Sequence, residues 1–290
     1  MKRMVLLANP QAGREQRLWI ASKRLVAKLE KQKISYQIYQ RIEDIPDNAL
    51  DKSVDRLIVL GGDGTLNFAV RFLYKHKIDI PIGIIPVGSG NIFAQALGIP
   101  FRINKAIKAA LHGHPRTVPV GLVNKKHIFL VGIATGVHAS LMEKTPRWSK
   151  RKMGIFAYYL RLPFHLFQIK LHHYTLTFPD NKQIQTKASA IYILNGFQGI
   201  RREPFQNMIV FKKKLYVLIL EIANSRQFAR VLTSIFIRGK IPANGVHYLE
   251  TKSVTLETAD APLRVDGEKI SDKKLAITIA SKTFQFFLPK

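Results

Sequence analysis

The chain has 290 residues, 47% of them hydrophobic, which suits about two domains that each bury a core. Lys and Arg total 46 against 19 Asp and Glu, so the net charge of +27 favours anionic partners such as phosphates, anionic lipid surfaces or nucleic acid. Zero cysteine excludes disulfides, thiolate nucleophiles and cysteine-based zinc sites, and it fits a cytoplasmic protein. No apolar run is long enough to span a membrane, and the short run after Met1 is interpreted as a core strand rather than a signal peptide.

The first 118 residues alternate between strand-like and helix-like patterns. Segment 15–31, for example, carries its apolar residues at helical spacing. Such alternation predicts an α/β domain, with a parallel sheet and helices on both faces. The predicted strands are Val5–Ala8, Ser35–Tyr39, Arg56–Leu60 and Ile80–Ile85, and the predicted helices are Glu15–Lys31, Leu66–Lys75, Ile92–Leu97 and Lys105–His112.

Two glycine-rich turns each follow an apolar strand and precede a helix. The first is Gly61-Gly62-Asp63-Gly64, with a helix predicted to open at Thr65, and the second is Gly88-Ser89-Gly90-Asn91. Glycines let backbone N–H groups approach an anion, and a helix N-terminus adds donors and positive potential. Either turn alone could be only a tight turn. Because turns after neighbouring parallel strands meet at one edge of the sheet, the pair together favours a phosphate site.

Strands dominate from residue 119 onward, and the domain boundary is predicted at residue 118. The second domain, 119–290, is predicted to be a β-rich sandwich with a few helices, and its last strands could return to brace the first domain. The predicted strands are Thr117–Val123, His127–Ile133, Tyr174–Phe178, Ile184–Leu194, Lys214–Ile222, Val246–Leu256, Pro262–Val265, Leu275–Ile279 and Thr283–Leu288, and the predicted helices are Gly136–Glu143, Gly154–Gln168 and Ser225–Arg238.

The segment Lys144–Lys170 combines basic and aromatic residues and contains no acid. That composition suits the surface of an anionic bilayer, although a helix packed on the sheet with solvated lysines would read the same way. His172-His173 is interpreted as part of a surface strand rather than as a metal ligand.

Four motifs follow one another along nearly the whole chain: Asn9–Gly13, Gly61–Asn67, Pro86–Asn91 followed by Phe93-Ala94, and Asp266-Gly267-Glu268. In these motifs the chain resembles the diacylglycerol kinase-like lipid kinases, which include bacterial diacylglycerol and phosphatidylglycerol kinases, ceramide kinases and sphingosine kinases. The NAD kinases share the first glycine turn but lack the second at this distance, so they fit less well.

The resemblance implies a three-layer nucleotide-binding domain that uses ATP and Mg²⁺, followed by a β-rich lipid domain. Asp63 would orient Mg²⁺, and Glu268 would act as the base on the lipid hydroxyl. Asn67 could instead anchor its loop, and Asp266-Gly267-Glu268 could be no more than a hairpin turn. The residues implied to contact the nucleotide are Asn9, Gly13, Gly61, Gly62, Asp63, Gly64, Thr65, Asn67, Gly88, Ser89, Gly90 and Asn91.

Several positions depart from the family pattern. Phe68, Ile92 and His138 stand where many members have an acid, and Lys213-Lys214-Leu215 makes an accessory structural Mg²⁺ site doubtful. With these departures noted, the resemblance implies an ATP-dependent kinase of a membrane lipid hydroxyl, cytoplasmic and peripherally bound to an anionic membrane. The alternative is a catalytically weak or inactive protein of the same fold that binds nucleotide or anionic lipid. No specific nucleic-acid partner is expected, because no nucleic-acid fold signature accompanies the charge, and a homodimer is left open.

Overall fold

A parallel β-sheet forms the first part of the computed structural model, which describes residues 3–10, 15–51, 53–136, 139, 169–196, 209–224, 226–227, 230–231 and 244–290. Its inner strands are almost continuous buried apolar runs, as is typical of a sheet covered on both faces. All neighbouring pairs in this part are parallel. In order across the sheet, the strands are β2 (Ser35–Tyr39), β1 (Arg3–Ala8), β3 (Val54–Gly61), β4 (Ile82–Pro86) and the C-terminal part of β16 (Lys274–Leu288).

Four helices accompany these strands: α1 (Glu15–Lys31), α2 (Asp63–Lys75), α3 (Ile92–Ala96) and α4 (Ile103–His112). Helix α1 packs beside α4, and α2 packs beside α3, which gives the helical layers of the predicted three-layer arrangement. Two short 3₁₀ turns, Ile42–Asp44 and Asp47–Leu50, lead into β3. Helices α2 and α4 begin two or three residues before the predicted positions, because their first turns lack the apolar periodicity on which the prediction relied.

Helix α4 is fixed in direction by contacts at its C-terminal end. The buried Arg56, near the start of β3, donates from Nη1 to the carbonyl oxygens of Ala110 (2.8 Å) and Leu111 (3.1 Å). A Cβ placed on Gly83, near the start of β4, would lie 3.0 Å from the Ala110 Cβ. The C-terminus of α4 therefore lies at the amino edge of the sheet, and its N-terminus lies at the carboxyl edge.

The chain divides into two compact units. Met1–Val118 and Lys282–Lys290 form the N-terminal unit, and Pro119–Ser281 forms the second unit. Strand β16 therefore changes unit along its length. The predicted division into Leu275–Ile279 and Thr283–Leu288 is wrong, because the intervening Ala280-Ser281-Lys282 contains no glycine or proline, and the strand continues through it.

The second unit is built from antiparallel strands around one apolar core. One sheet runs β12 (Val246–Thr251), β11 (Leu215–Leu220), β10 (Ala190–Leu194), β7 (Gly132–Thr135), β14 (Leu263–Val265), β15 (Glu268–Ile270). The other strands are the first part of β16, β13 (Ser253–Glu257), β8 (His172–Thr177) and β9 (Gln183–Ala188), with β5 (His114–Val123) joining β6 (His127–Phe129). Side chains from both sets share the core, so the predicted fold class is confirmed: an α/β domain followed by a β-sandwich.

Three predicted strands are each two strands in the structure. Segments 127–133, 184–194 and 246–256 break near Leu130, Ser189 and Lys252, where the chain passes from one sheet of the sandwich to the other. An apolar pattern stays continuous through such a crossing, because both strands face the same core. The short strand β15 was not predicted.

The burial of His172 differs from the prediction that both histidines of His172-His173 lie on a surface strand. His172 is buried, at 6% exposure, and its Nδ1 lies 2.8 Å from Asp260 Oδ2, whereas His173 is exposed. The alternation along β8 turns one histidine inward, so only His173 lies on the surface. The predicted helices Gly136–Glu143, Gly154–Gln168 and Ser225–Arg238, and the basic segment 144–170, fall almost entirely outside the described residues. In the part of the chain that the structure describes, no helix is both long and apolar enough to cross a bilayer.

Candidate active site

The two glycine-rich turns lie side by side at the carboxyl edge of the parallel sheet. Strand β3 ends at Gly61 and β4 ends at Pro86, and these two residues are register partners. The Val87 N–H donates to the Gly61 carbonyl oxygen at 3.1 Å, which extends the pairing into the turns. Helix α2 starts directly after Gly62 and α3 directly after Asn91, so two helix N-termini point to the same edge. Such an edge is a suitable place for an anionic ligand.

Glycine is required where the two turns touch. A Cβ on Gly88 would overlap the Gly62 backbone and lie 2.8 Å from Asn91 Oδ1, and a Cβ on Gly62 would lie 3.2 Å from Gly88 Cα. Gly64 differs, because a Cβ there would have no neighbour within 4 Å. Gly64 and Ser89 are exposed, so the tips of both turns are open to solvent.

Asp63 joins the first turn to the helix that follows the second. Its Oδ2 accepts the Ile92 N–H and its Oδ1 accepts the Phe93 N–H, each at 3.0 Å. Burial raises the pKa of the Asp63 carboxyl above its ordinary value, although the N–H groups of Phe93, Ile92 and Asn91 act in the opposite direction. Because α3 has no cap from the Asn91 side chain, Asp63 supplies that cap from another element. The sequence predicts Asp63 as a catalytic, nucleotide-contacting and metal-binding residue, and nothing in it indicated this capping role.

The other predicted contacts of the first and second turns are mostly buried in the structure. Asn91 adopts a left-handed conformation (φ 54°) and donates from Nδ2 to the Gly88 carbonyl oxygen at 2.7 Å. Thr65 packs against Gly61, since a Cβ placed on Gly61 would lie 2.5 Å from the Thr65 Cβ. Asn67 is buried on α2, at 4% exposure. These side chains shape the turns from inside, and their contact with a nucleotide stays a prediction.

The remaining predicted residues lie after β1 and in the second unit. Asn9 is half-buried after β1, and Gly13 falls outside the described residues. Glu268 is exposed as the first residue of β15, directly opposite Val265 in the β14–β15 pair. Its role as a base stays a prediction.

Asp266 and Gly267 form the two-residue turn between β14 and β15. Both have positive φ, 45° and 87°, as a tight hairpin turn of the Asp-Gly type requires. The Asp266 carboxylate accepts backbone N–H groups of Leu130 (2.7 Å), Val131 (2.9 Å) and Gly132 (2.8 Å). The hairpin interpretation therefore holds for Asp266-Gly267, and Asp266 fixes this turn onto the chain that enters β7.

Comparisons with known proteins agree with this geometry. The family model of the diacylglycerol kinase catalytic domain matches residues 3–123. The diacylglycerol kinase of Staphylococcus epidermidis is 29% identical over 279 residues, which cover 92% of this chain and 86% of that protein. A crystal structure of a diacylglycerol kinase from Bacillus anthracis shares the fold with a TM-score of 0.74 at 21% identity, covering 99% of this chain and 96% of that one.

The fold is also shared, more distantly, with an NAD kinase from Archaeoglobus fulgidus that was crystallised in complex with ATP. That match has a TM-score of 0.55 at 13% identity and covers 100% of this chain and 94% of the other. At this identity the match shows a shared fold alone. The family model over residues 3–123 and the relatives that match 92% of the chain show that the chain is an enzyme of the kinase class, and they support the diacylglycerol kinase-like lipid kinase superfamily as its family.

Proposed function

We propose that the chain is an ATP-dependent kinase that transfers the γ-phosphate to a hydroxyl group of a membrane lipid, diacylglycerol or a chemically similar lipid. The observation that carries the proposal is the contact between the two glycine turns, held together through Asp63. Relatives named diacylglycerol kinase along nearly the whole chain support the lipid substrate. The cytoplasmic face of a membrane is the location that this substrate and the cysteine-free sequence suggest.

The ATP phosphates would lie at the exposed tips of the turns, beside Gly64 and Ser89. The first turn of α2 has backbone N–H groups without helical acceptors, and the helix adds a partial positive charge there. Glycine at position 64 leaves space next to those donors, because no atom lies within 4 Å of a Cβ built there. Phosphoryl transfer depends mainly on such positioning and charge neutralisation.

The donor chemistry of the first turn fits Mg²⁺. Asp63 is the acid of the two turns, and carboxylate oxygens are the ligands that Mg²⁺ prefers. Among the described residues there is no group of three or more His, Asp or Glu side chains that could hold a metal. Asp63 would therefore share the ion with ATP phosphates and water, as is usual for Mg²⁺, which would neutralise developing phosphate charge.

Glu268 is the residue we assign to accept the proton of the lipid hydroxyl. It is exposed, so a substrate can reach it, and it directly follows a turn that Asp266 anchors with three hydrogen bonds. A base must lie within hydrogen-bond reach of the hydroxyl, which such a fixed turn favours. The alternative of an inactive binding protein is not favoured, because the full-length relatives are named as kinases. Phe68, which occupies one of the positions where many family members have an acid, lies exposed on α2.

The test is transfer of label from γ-labelled ATP to lipid in anionic vesicles, screened over diacylglycerol, phosphatidylglycerol, ceramide and sphingoid bases. We expect one lipid class to be labelled, and Glu268→Gln to reduce the rate by about 10²-fold or more, the usual contribution of a general base. Glu257→Gln is the matched control, because Glu257 is an acid of the same unit that pairs with Lys274 on the surface. Equal labelling by parent and Glu268→Gln would refute the assigned base, and no labelling of any lipid would refute the function.

A further inference from the structure

An open groove lies in the N-terminal unit, between α1 from Arg17 to Arg24 and the start of α4. The two helices run side by side in the same direction. Arg24 Nη1, in the middle of α1, donates to Asn104 Oδ1 at the start of α4 (3.2 Å), and Gln32, just past the end of α1, contacts His112 at the end of α4 (3.1 Å). The groove has a volume of about 500 Å³. Its lining includes four cationic side chains, Arg17, Arg24, Arg102 and Lys105, and the aromatic side chain of Phe101.

No acid balances the positive charge among the residues that line this basic groove. The sequence contains no Asp or Glu between Asp79 and Glu143, and α4 has no acid in its first turn, whereas α1 has Glu15 in its first turn, outside the lining of the groove. The positive end of the α4 dipole thus adds to the field of the four cations. Charges of one sign held together in this way repel one another, and an anionic partner relieves that repulsion.

The basic groove opens on the same edge of the sheet as the glycine turns. The C-terminus of α4 is held at the amino edge by Arg56, so its N-terminus, with Arg102 and Lys105, lies at the carboxyl edge. Phe101 beside these cations is 44% exposed. Cations around an exposed aromatic ring are typical of surfaces that lie at the interface of an anionic bilayer.

We propose that the basic groove docks the N-terminal unit on the headgroups of an anionic bilayer, with Phe101 entering the interface. This inference rests on the proposed function, because a kinase of a membrane lipid must bring its phosphate site to the bilayer. It adds a surface of α1 and α4 to the one expected from residues 144–170. Docking here would turn the carboxyl edge, and with it the glycine turns, toward the membrane.

The test is binding of the full-length chain to vesicles of phosphatidylglycerol and phosphatidylcholine, compared with pure phosphatidylcholine, by co-sedimentation. Arg102→Gln and Lys105→Gln should each weaken binding to the anionic vesicles about fivefold, and the double variant about 25-fold. Phe101→Ser should weaken it without a change in charge. The matched control is Lys31→Gln with Lys75→Gln, which removes two exposed lysines from the last turns of α1 and α2.

The proposal is overturned if the Arg102→Gln/Lys105→Gln variant loses no more affinity for the anionic vesicles than the control variant does. So would release of the parent by inorganic phosphate beyond the effect of chloride at equal ionic strength, because the groove would then hold free phosphate. A variant that loses affinity for RNA but not for vesicles would also overturn it. Kinase activity on short-chain diacylglycerol in neutral detergent micelles should be equal for variant and parent, which separates docking from catalysis. If the parent lacks activity on every lipid while the vesicle results hold, the proposed function fails and the docking surface stands.

Discussion

Replacing Asp63 by Asn isolates the structural role of this carboxylate from any role in binding a metal. Asn keeps one acceptor oxygen but sets an NH₂ group against the second backbone N–H, from Ile92 or Phe93. One charge-assisted hydrogen bond is lost, worth about 1.5–3 kcal/mol, and an N–H is left facing a donor. Removing a carboxylate whose pKa is raised by burial returns part of that cost, so we expect α3 to be destabilised by about 2 kcal/mol.

The assay is amide hydrogen exchange at Ile92 and Phe93, measured without ATP or Mg²⁺. A change of about 2 kcal/mol in local opening corresponds to about 30-fold faster exchange at these two amides. Asp79→Asn is the control, because Asp79 is an exposed acid of the same unit. If exchange at both amides stays within about twofold of the parent, Asp63 does not hold the two turns together.

Two further predictions concern glycine packing and pH. Gly88→Ala should lower the free energy of unfolding by about 1–3 kcal/mol and reduce ATP labelling of lipid, because the new Cβ meets the Gly62 backbone. Gly64→Ala should leave the stability unchanged, because its Cβ meets no atom. Equal urea midpoints for the two variants would contradict this expectation. Burial raises the pKa of Tyr174 to about 12, so its contribution to stability is complete below pH 10, its ordinary pKa, and is lost as the pH rises toward 12. Between pH 10 and 12 the free energy of unfolding of the parent should fall by about 3 kcal/mol more than that of Tyr174→Phe, as measured by urea denaturation at each pH. An equal fall for both proteins would count against the prediction.

Much of the N-terminal unit could be predicted because its signals are local. The apolar stripe of α1 and the strand–turn–helix order around Gly61 and Gly88 each lie within a dozen or so residues. The parallel pairing of β1 to β4 follows from the alternation of strands and helices. These signals also sufficed for the family resemblance.

What the sequence could not predict depends on contacts between distant residues. Asp63 and Ile92 are 29 positions apart, and nothing near Asp63 shows that its oxygens cap α3. Arg24 meets Asn104 across 80 positions, so the basic groove exists only after α1 and α4 have packed. The crossings between sheets near Ser189 and Lys252 were missed for a related reason, because a single core accepts apolar side chains from both strands.

Strand β16 has a consequence for how the polypeptide is made. Phe286 and Phe287 pair with Ile82 and Gly83 of β4, so the partner of β4 leaves the ribosome about 200 residues later than β4 itself. During that interval β4 has an open edge, and open edges of this kind invite pairing with other nascent chains. Arg56, whose guanidinium lies 3.7 Å from the centre of the Phe287 ring, can help to retain the late strand once it arrives. Translation speed and chaperone access should therefore influence the yield of this protein more than that of one whose sheet is completed in order of synthesis.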